Sequence, residues 1–303
     1  MWHRQQGFAL ISALMLVLMI ASVCTLWVTQ THYQLKIFHA RQEQQRAILL
    51  SKALHFWAVT QLQDRKIQLT SAIIATTDGK GLALPKAWRA KATLTDAQSV
   101  LNINSIVEQN LRLAYFLLLK QQLPDTNIQD MYYASISWLQ HNSKSNSFNA
   151  VYAQRHPPYQ NSEQMMVSLD ELRYIKGFTP QIIQQLKPYL TALPESTPIN
   201  INTASLAILS ILKPDLKPKD LKKIMYTRGI TGFKTSGALF EILESFKIPA
   251  TNVTINSQYF WLDYELLGPS QRKLRGKALF YRPLLEKKAL PKQVIMVHEF
   301  INT

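Results

Sequence analysis

An uninterrupted apolar run near the amino terminus constrains how the rest of this chain can fold. From Phe8 to Val28 the sequence has 21 residues without a charge. At about 1.5 Å rise per residue, such a helix is roughly 30 Å long, which matches the hydrocarbon core of a bilayer. Because lipid offers no partner to backbone N–H and C=O groups, the run is predicted to be a membrane-spanning helix.

Three interpretations of this run are open. A cleaved secretory signal fits poorly, because no small-residue cleavage site follows the run. A plain signal anchor would keep the amino-terminal end, with Arg4, in the cytoplasm. The third is a prepilin-like signal, because Gly7-Phe8-Ala9-Leu10-Ile11 resembles the start of prepilins. It implies cleavage between Gly7 and Phe8, N-methylation of Phe8 and retention of the helix. At mature position five, where most pilins carry Glu, this chain has Ser12.

The composition narrows the classes of function. There are 34 Lys and Arg against 19 Asp and Glu, a formal net charge of +15. Such an excess suits nucleic acid, an anionic membrane surface, an acidic partner or simply a solvated basic surface. The single cysteine, Cys24, lies inside the apolar run, so an intramolecular disulfide and a cysteine-based metal site are both excluded. The sequence has no hydrolase, Walker, dinucleotide or zincin motif, and no enzymatic activity is expected.

Beyond Val28 the helix is predicted to continue, as an amphipathic helix, to about Lys66. Neither Pro nor Gly interrupts residues 8–77. The second half of this helix must lay an apolar stripe on a folded body. The stripe consists of Leu50, Leu54, Trp57 and Val59. One helix, half in lipid and half in a domain, is typical of pilins. Short strands are predicted at Ile73-Ile74 and at 88–94.

A mostly helical block follows, with joints marked by proline. Helices are predicted at about 105–123, 130–140, 168–177, 179–190, 202–212, 220–228 and 238–246, and a polar loop at 140–164. Within them we expect Tyr133 to be buried, Ser168 and Glu171 to form a capping box, and Asn202 or Thr203 to be an N-cap. Alternating apolar residues return beyond Pro249 and predict three or four antiparallel strands. Strands on both sides of a helical block predict an α+β fold in which the helical domain is inserted into the sheet domain.

The order of these segments resembles the K-type minor pseudopilins of type II secretion systems, the general secretion pathway protein K family. The motifs that carry the resemblance are Gly7–Ile11, Leu101-Asn-Ile-Asn104, Ser168–Leu172 with Gly177-Phe178-Thr179, Tyr189–Pro194 followed by Thr197–Ala204, and Ser257–Phe260. The resemblance implies a long N-terminal helix packed on a small antiparallel sheet, with a large inserted all-α domain that contains helix-hairpin-helix-like units. The expected divisions are a leader (1–7), a transmembrane part (8–28), the first part of a pilin-like body (29–100), the inserted domain (101–248) and the C-terminal strands of the body (249–303).

The resemblance also implies a function. The chain would be a non-enzymatic subunit at the tip of the pseudopilus, capping the I- and J-type minor pseudopilins and supporting export across the outer membrane. Its other expected partners are the prepilin peptidase, the inner membrane and further type II secretion components. It would cross the inner membrane once, with the N-terminus cytoplasmic and the body periplasmic. Ser12 agrees with this, because this family member lacks the usual Glu, and an unpaired carboxylate in lipid would be costly.

One part of the family pattern is missing. The family binds calcium through an acidic loop near a tryptophan, whereas the matching stretch here is Ser137-Trp138-Leu139-Gln140-His141-Asn142. Residues 147–152 contain no acid either. Calcium needs six to eight oxygen ligands, usually with several carboxylates. Because Ser137, Gln140 and Asn142 are neutral, the calcium site is expected to be lost or weak, and no other cofactor is expected.

A second class of function is a membrane-anchored protein that binds DNA non-specifically. Asn200–Ser236 resembles a helix-hairpin-helix unit, and the net charge would suit phosphate contacts. That module holds phosphate with backbone amides of a glycine-rich hairpin at a helix N-terminus. The corresponding joint here, Lys213–Pro218, has two prolines and an aspartate, and the other hairpin, Ile175–Pro180, has one glycine. We therefore expect a structural use of both hairpins and no nucleic-acid partner.

Overall fold

A single helix, α1, runs from His3 to Gln63 in the computed structural model, which describes residues 3–63, 70–124, 126–140, 147–283 and 291–301. The other helices are α2 (Gln109–Gln122), α3 (Ile128–Leu139), α4 (Ser147–Ala153), α5 (Pro180–Leu186), α6 (Leu206–Ser210), α7 (Pro218–Arg228) and α8 (Ser236–Phe246). The strands are β1 (Ile73–Thr77), β2 (Arg89–Asp96), β3 (Leu101–Asn102), β4 (Leu190–Thr191), β5 (Ile199–Asn200), β6 (Val253–Thr254), β7 (Tyr259–Leu267), β8 (Lys273–Tyr281) and β9 (Lys292–Ile301).

Five strands form one antiparallel sheet in the order β1-β2-β7-β8-β9. Strands β2 and β7 pair along their length, from Arg89 opposite Leu267 to Asp96 opposite Phe260. The second half of α1 packs on one face of this sheet through apolar side chains. Their common core includes Ala47, Leu54, Ala58 and Leu62 of the helix and Leu94, Phe260, Leu262 and Phe280 of the sheet. Leu54 of the predicted stripe is fully buried, and its other three members pack at the edge of this core. The prediction of one continuous helix whose second half packs on a folded body is confirmed.

The contacts along α1 fix which end of the sheet lies near the apolar run. Glu43 accepts hydrogen bonds from the backbone N–H (3.1 Å) and the hydroxyl of Ser270, in the turn between β7 and β8. Three turns further along α1, the ring of His55 lies 5.5 Å from that of Tyr264 and 5.9 Å from that of Phe280. The turn at 268–272 is therefore the end nearer the apolar run. The opposite end, with Asp96, is the far end of the sheet.

The helical domain is inserted at this far end. Residues 97–258 leave the sheet after β2 and return to it at β7, the neighbouring strand. The domain has its own apolar core, centred on fully buried side chains such as Tyr115, Leu118, Ile199 and Ile208. Two short parallel ladders, β3 with β4 and β5 with β6, also lie in it. The predicted α+β fold, with a long helix, a small antiparallel sheet and a helical domain inserted into the sheet, is confirmed.

Two predictions about helix α3 and the segment after it are wrong. Tyr133 was expected inside, yet it is 58% exposed. The cause is the phase of the helix, because Met131, Ala134 and Trp138 occupy the inward face. The predicted polar loop at 140–164 contains helix α4, whose Phe148 and Tyr152 are buried in the core of the domain.

Two predicted helix ends are also wrong. Helix α5 was expected to reach residue 190, but it ends at Leu186, and Leu190–Thr191 forms β4 beside β3. The N-cap of α6 is Ser205, whose hydroxyl accepts the N–H of Ile208 at 3.4 Å. Asn202 and Thr203, predicted as caps, are buried and make hydrogen bonds to distant segments instead. By contrast, the capping box of Ser168 and Glu171 is confirmed, although the helix that it starts is a 3₁₀ helix at Leu169–Tyr174.

Candidate functional site

The apolar run is an exposed surface of the folded chain. Between Leu10 and Val28 the large apolar side chains are 52–74% exposed. The segment has a mean hydropathy of 2.4 over its most apolar window, and none of that window is buried. A helix of this length and composition fits a single-pass membrane anchor. Gly7 and Phe8 lie on the same continuous helix, and Ser12 is exposed on it.

A second exposed apolar surface lies on α1 opposite the sheet. Leu35, Leu49 and Phe56 are spaced by multiples of seven residues, and they are 48%, 62% and 74% exposed. Residues that repeat every seven positions share one side of a helix, which is the arrangement that packs against another helix. Leu49 and Phe56 belong to the part of α1 that already packs on the sheet through its other side. We call Leu35, Leu49 and Phe56 the α1 seam.

The junction between the two domains is built around one buried carboxylate, at the end of β2. Asp96 is 2% exposed. Its Oδ1 accepts the N–H of Gln98 at 2.8 Å. Its Oδ2 accepts the Asn200 amide at 2.9 Å, the Thr203 hydroxyl at 2.6 Å and the Ser257 hydroxyl at 2.7 Å. All four partners belong to the inserted domain: Gln98 follows β2 directly, Asn200 and Thr203 lie near its middle, and Ser257 lies just before β7. Asp96, the last residue of β2, therefore holds both ends of the domain and its interior to the sheet.

The environment of Asp96 perturbs its ionisation. Burial raises the pKa of the Asp96 carboxyl, and the hydrogen bonds from Thr203, Ser257, Gln98 and Asn200 oppose this shift.

The side chain of Gln98 makes further hydrogen bonds at the same junction. Gln98 donates to the carbonyl of Pro198 at 3.0 Å and accepts the N–H of Gln258 at 2.6 Å. The sequence gives no signal for Asp96 beyond a carboxylate near the end of a predicted strand.

The two Asn-x-Asn motifs play matching structural roles within the domain. Asn104 accepts the N–H of Met166 at 2.9 Å and donates to its carbonyl at 2.8 Å. Asn202 holds Phe233 in the same way, at 2.7 Å and 3.1 Å. Each amide therefore pairs with the backbone of a segment more than thirty residues away. The first asparagine of each motif also makes a local turn, because Asn102 accepts the N–H of Asn104 at 3.1 Å and Asn200 accepts that of Asn202 at 3.0 Å. Both motifs therefore have a structural role.

The stretch that matches the calcium loop is closed by neutral hydrogen bonds. Asn161 donates its amide to the Ser137 hydroxyl at 2.9 Å, and its N–H donates to Asn149 at 2.9 Å. Gln140 donates to the carbonyl of Val107 at 3.4 Å, and Asn142 lies outside the described residues. No group of three or more His, Cys, Asp or Glu that could hold a metal occurs among the residues that the structure describes. An amide donor directed at Ser137 is a poor neighbour for a cation, so the residues present do not fit calcium.

The two hairpins of the inserted domain, Lys213–Pro218 and Ile175–Pro180, make contacts within the protein. At the start of α7, the N–H of Lys217 donates to the Asp220 carboxylate at 2.9 Å, so this helix end already carries an acid. The other hairpin places Gly177 at φ +95°, where an added Cβ would lie 2.6 Å from Met131. That glycine is required by close packing as well as by its backbone conformation. The first hairpin therefore already uses its helix end for an internal acid, and the glycine of the second is used for packing.

Comparison with known proteins gives a consistent result. Two family models described as type II secretion system (T2SS), protein K match residues 99–195 and 199–257, together just over half of the chain. A type II secretion system protein K of Aeromonas hydrophila is 29% identical over 144 residues, which are 44% of this chain and 43% of that protein. One from Klebsiella pneumoniae is 25% identical over 269 residues, 78% of this chain and 79% of that protein. The match thus spans about two fifths of the Aeromonas protein and most of the Klebsiella protein.

A solved structure has the same fold. It comes from the crystal structure of the GspK-GspI-GspJ complex of the enterotoxigenic Escherichia coli type 2 secretion system. The two chains superpose with a TM-score of 0.68 at 20% identity, over 86% of this chain and 98% of that one.

Proposed function

This chain belongs to the type II secretion system protein K family, and on that basis we propose that it is the minor pseudopilin at the tip of the secretion pseudopilus. In this role it caps the I- and J-type minor pseudopilins and supports protein export across the outer membrane. It is anchored once in the inner membrane with its body in the periplasm, after cleavage between Gly7 and Phe8 and methylation of Phe8. No catalytic step belongs to the proposal.

The observation that carries the capping role is the position of the inserted domain. Residues 97–258 are attached at the end of the sheet opposite the anchor, at Asp96 and Tyr259. A pilin fibre grows because each subunit presents one surface to the subunit below and another to the subunit above. A domain of this size on the distal end obstructs the upper surface. Ser12 agrees, because a subunit with none above it has no amino terminus for an acid to neutralise.

The α1 seam supports the other half of the proposal, the attachment to neighbouring subunits. Phe56 and Leu49 are exposed on a helix whose opposite side is fixed to the sheet, so the seam is held rigidly in place. The related E. coli protein occurs in a complex with GspI and GspJ. We propose that the corresponding I- and J-type subunits pack their helices along this seam.

Co-purification tests the proposal. The full chain, solubilised in detergent, is mixed with the I- and J-type subunits and analysed by light scattering, with the chain alone as the reference. We expect a one-to-one-to-one complex and a monomer in the reference. Filaments formed by this subunit alone, or tight binding of duplex DNA at physiological salt, would refute the capping role.

A further inference from the structure

Two apolar side chains of the inserted domain are more exposed than any large apolar residue of the membrane anchor. Tyr226, in the last turn of α7, is 88% exposed, and Ile230, in the turn that follows, is 92% exposed. The highest value among the apolar residues from Leu10 to Val28 is 74%. Together with the exposed Lys222, Lys223 and Lys234, these residues form what we call the α7 prominence.

The turn that carries Ile230 is held at both ends. The N–H of Gly229 donates to the carbonyl of Met225 at 3.0 Å, and the N–H of Gly232 donates to that of Arg228 at 2.8 Å. Both glycines have positive φ, +51° and +68°, a conformation that costs other residues energy. An added Cβ on Gly232 would also lie 3.0 Å from the Asn202 side chain. The backbone is thus committed to a shape that directs residue 230 outward.

Buried hydrogen bonds fix the same turn to the core of the domain. The Arg228 guanidinium donates to the carbonyls of Ile201 and Ala204, at 3.1 Å and 2.7 Å. Asn202, which is fully buried, holds the backbone of Phe233. A surface that is already rigid loses little conformational entropy when a partner binds, so apolar contact there converts efficiently into affinity.

The charges around the prominence select the partner's chemistry. Lys219, Lys222, Lys223 and Lys234 are exposed, and none of them forms an ion pair within 4.0 Å among the described residues. The nearby Asp220 is engaged at the start of α7. The surface therefore combines two exposed apolar side chains with exposed lysines close to them in the chain, and its complement is an apolar groove bordered by carboxylates.

The position of the inserted domain excludes the anchoring membrane as the partner. The domain is attached at the far end of the sheet, while the turn at 268–272 faces the anchor. Helices that pack along the α1 seam would lie against α1, whereas α7 belongs to the inserted domain. We propose that the α7 prominence docks a folded protein that carries an apolar groove bordered by carboxylates and that meets the tip from beyond the assembly. This placement rests on the proposed function.

Photo-crosslinking in cells tests the docking directly. A photo-activatable amino acid is introduced at position 230 of the full chain, and the attached protein is identified by mass spectrometry. That protein is then purified and titrated against the full chain in detergent. We expect Tyr226→Ser with Ile230→Ser to weaken binding about a hundredfold or more, because each buried side chain of this size contributes roughly a factor of ten or more. Raising the salt concentration should weaken it further.

Matched variants separate this inference from the proposed function. Leu113→Ser with Tyr133→Ser removes two exposed apolar side chains elsewhere in the domain, 51% and 58% exposed, and should leave the affinity unchanged. Cross-links only to lipid, to nucleic acid or to the I- and J-type subunits, or an affinity that the first pair of changes does not alter, would overturn the docking surface. The first pair should still co-purify with the I- and J-type subunits. If the wild-type chain itself fails to do so, the proposed function fails instead.

Discussion

Replacing Asp96 with alanine removes the acceptor that joins the sheet to the inserted domain, and the expected loss of stability can be worked out from its contacts. The side chain accepts four hydrogen bonds, at 2.6–2.9 Å, from Gln98, Asn200, Thr203 and Ser257. After the change, the hydroxyls of Thr203 and Ser257 can rotate towards other acceptors. The Thr203 hydroxyl, for example, already lies 3.3 Å from the carbonyl of Asn200. The N–H of Gln98 loses its buried acceptor, and the Asn200 amide loses one of two, keeping its bond to the Ser257 hydroxyl at 2.8 Å.

Each buried donor left without an acceptor costs about 1–3 kcal/mol. Removing the carboxylate also relieves the cost of burying it, so the two losses are partly offset. We expect Asp96→Ala to lower the free energy of unfolding by about 2–4 kcal/mol. The measurement is urea denaturation of the detergent-solubilised chain, followed by tryptophan fluorescence.

Asp263→Ala is the matched control, because this aspartate lies on the same sheet but in solvent. Its ion pair with Lys277 spans 3.7 Å, and the two side chains are 53% and 49% exposed. Exposed pairs of this kind contribute about 0–1 kcal/mol. Equal effects of the two changes would refute the role of Asp96 as the centre of the junction.

The same residue gives a pH test with a definite sign. Burial raises the pKa of Asp96 above the unfolded value of about 3.9. The folded chain therefore binds the proton of the Asp96 carboxyl more tightly than the unfolded chain does. The free energy of unfolding falls as the pH rises from about 3.9 through the pKa of Asp96 in the folded chain. Asp96→Asn has no proton to lose. The free energy of unfolding of the wild type minus that of Asp96→Asn should therefore decrease as the pH rises over this range. An increase would contradict the argument.

Three further changes test other parts of the molecule. Gly7→Val should block processing, so that mass spectrometry finds Phe8 as the first residue of the wild type only; an uncleaved wild type in cells with an active peptidase would contradict this. A calcium chelator should leave the thermal midpoint unchanged, whereas Asn161→Ala should lower stability by about 0.5–1.5 kcal/mol, since the side-chain bond to Ser137 is lost while the backbone N–H keeps its bond to Asn149; a large chelator effect would reveal missed ligands. Phe56→Ser should weaken binding of the I- and J-type subunits about tenfold or more, because an exposed aromatic side chain loses its contact; the neighbouring Thr60→Ser is the control.

The long-range order of the fold could be predicted because it depends on periodicity and on the order of segments. An uncharged run of 21 residues followed by an amphipathic pattern leaves few alternatives to one long helix. Strands on both sides of a helical block also predict the insertion. The short elements could not be predicted in the same way. Ladders of two residues, such as β3 with β4, carry no periodic signal, and helix α4 lies in a stretch rich in polar residues.

The junction around Asp96 and the α7 prominence could not be predicted from the sequence, for a different reason. Thr203 and Ser257 belong to the motifs Thr197–Ala204 and Ser257–Phe260, but their hydrogen bonds to Asp96 join residues more than one hundred positions apart. Only the folded chain brings them together. Likewise, the pattern of α7 shows an amphipathic helix, whereas the exposure of Ile230 depends on the two positive-φ glycines that surround it.

The insertion between β2 and β7 has a consequence for the order in which the chain folds. These neighbouring strands are separated by residues 97–258, and closing a flexible loop of that length costs about 4 kcal/mol or more of chain entropy. Once the insertion is folded, however, its two ends are fixed, and the Ser257 hydroxyl lies 2.7 Å from Asp96. β7 can then pair with β2 at little further cost in chain entropy. We therefore expect the inserted domain to fold before the sheet closes, and the packed face of α1 to stay partly uncovered until β7 and β8 have joined the sheet.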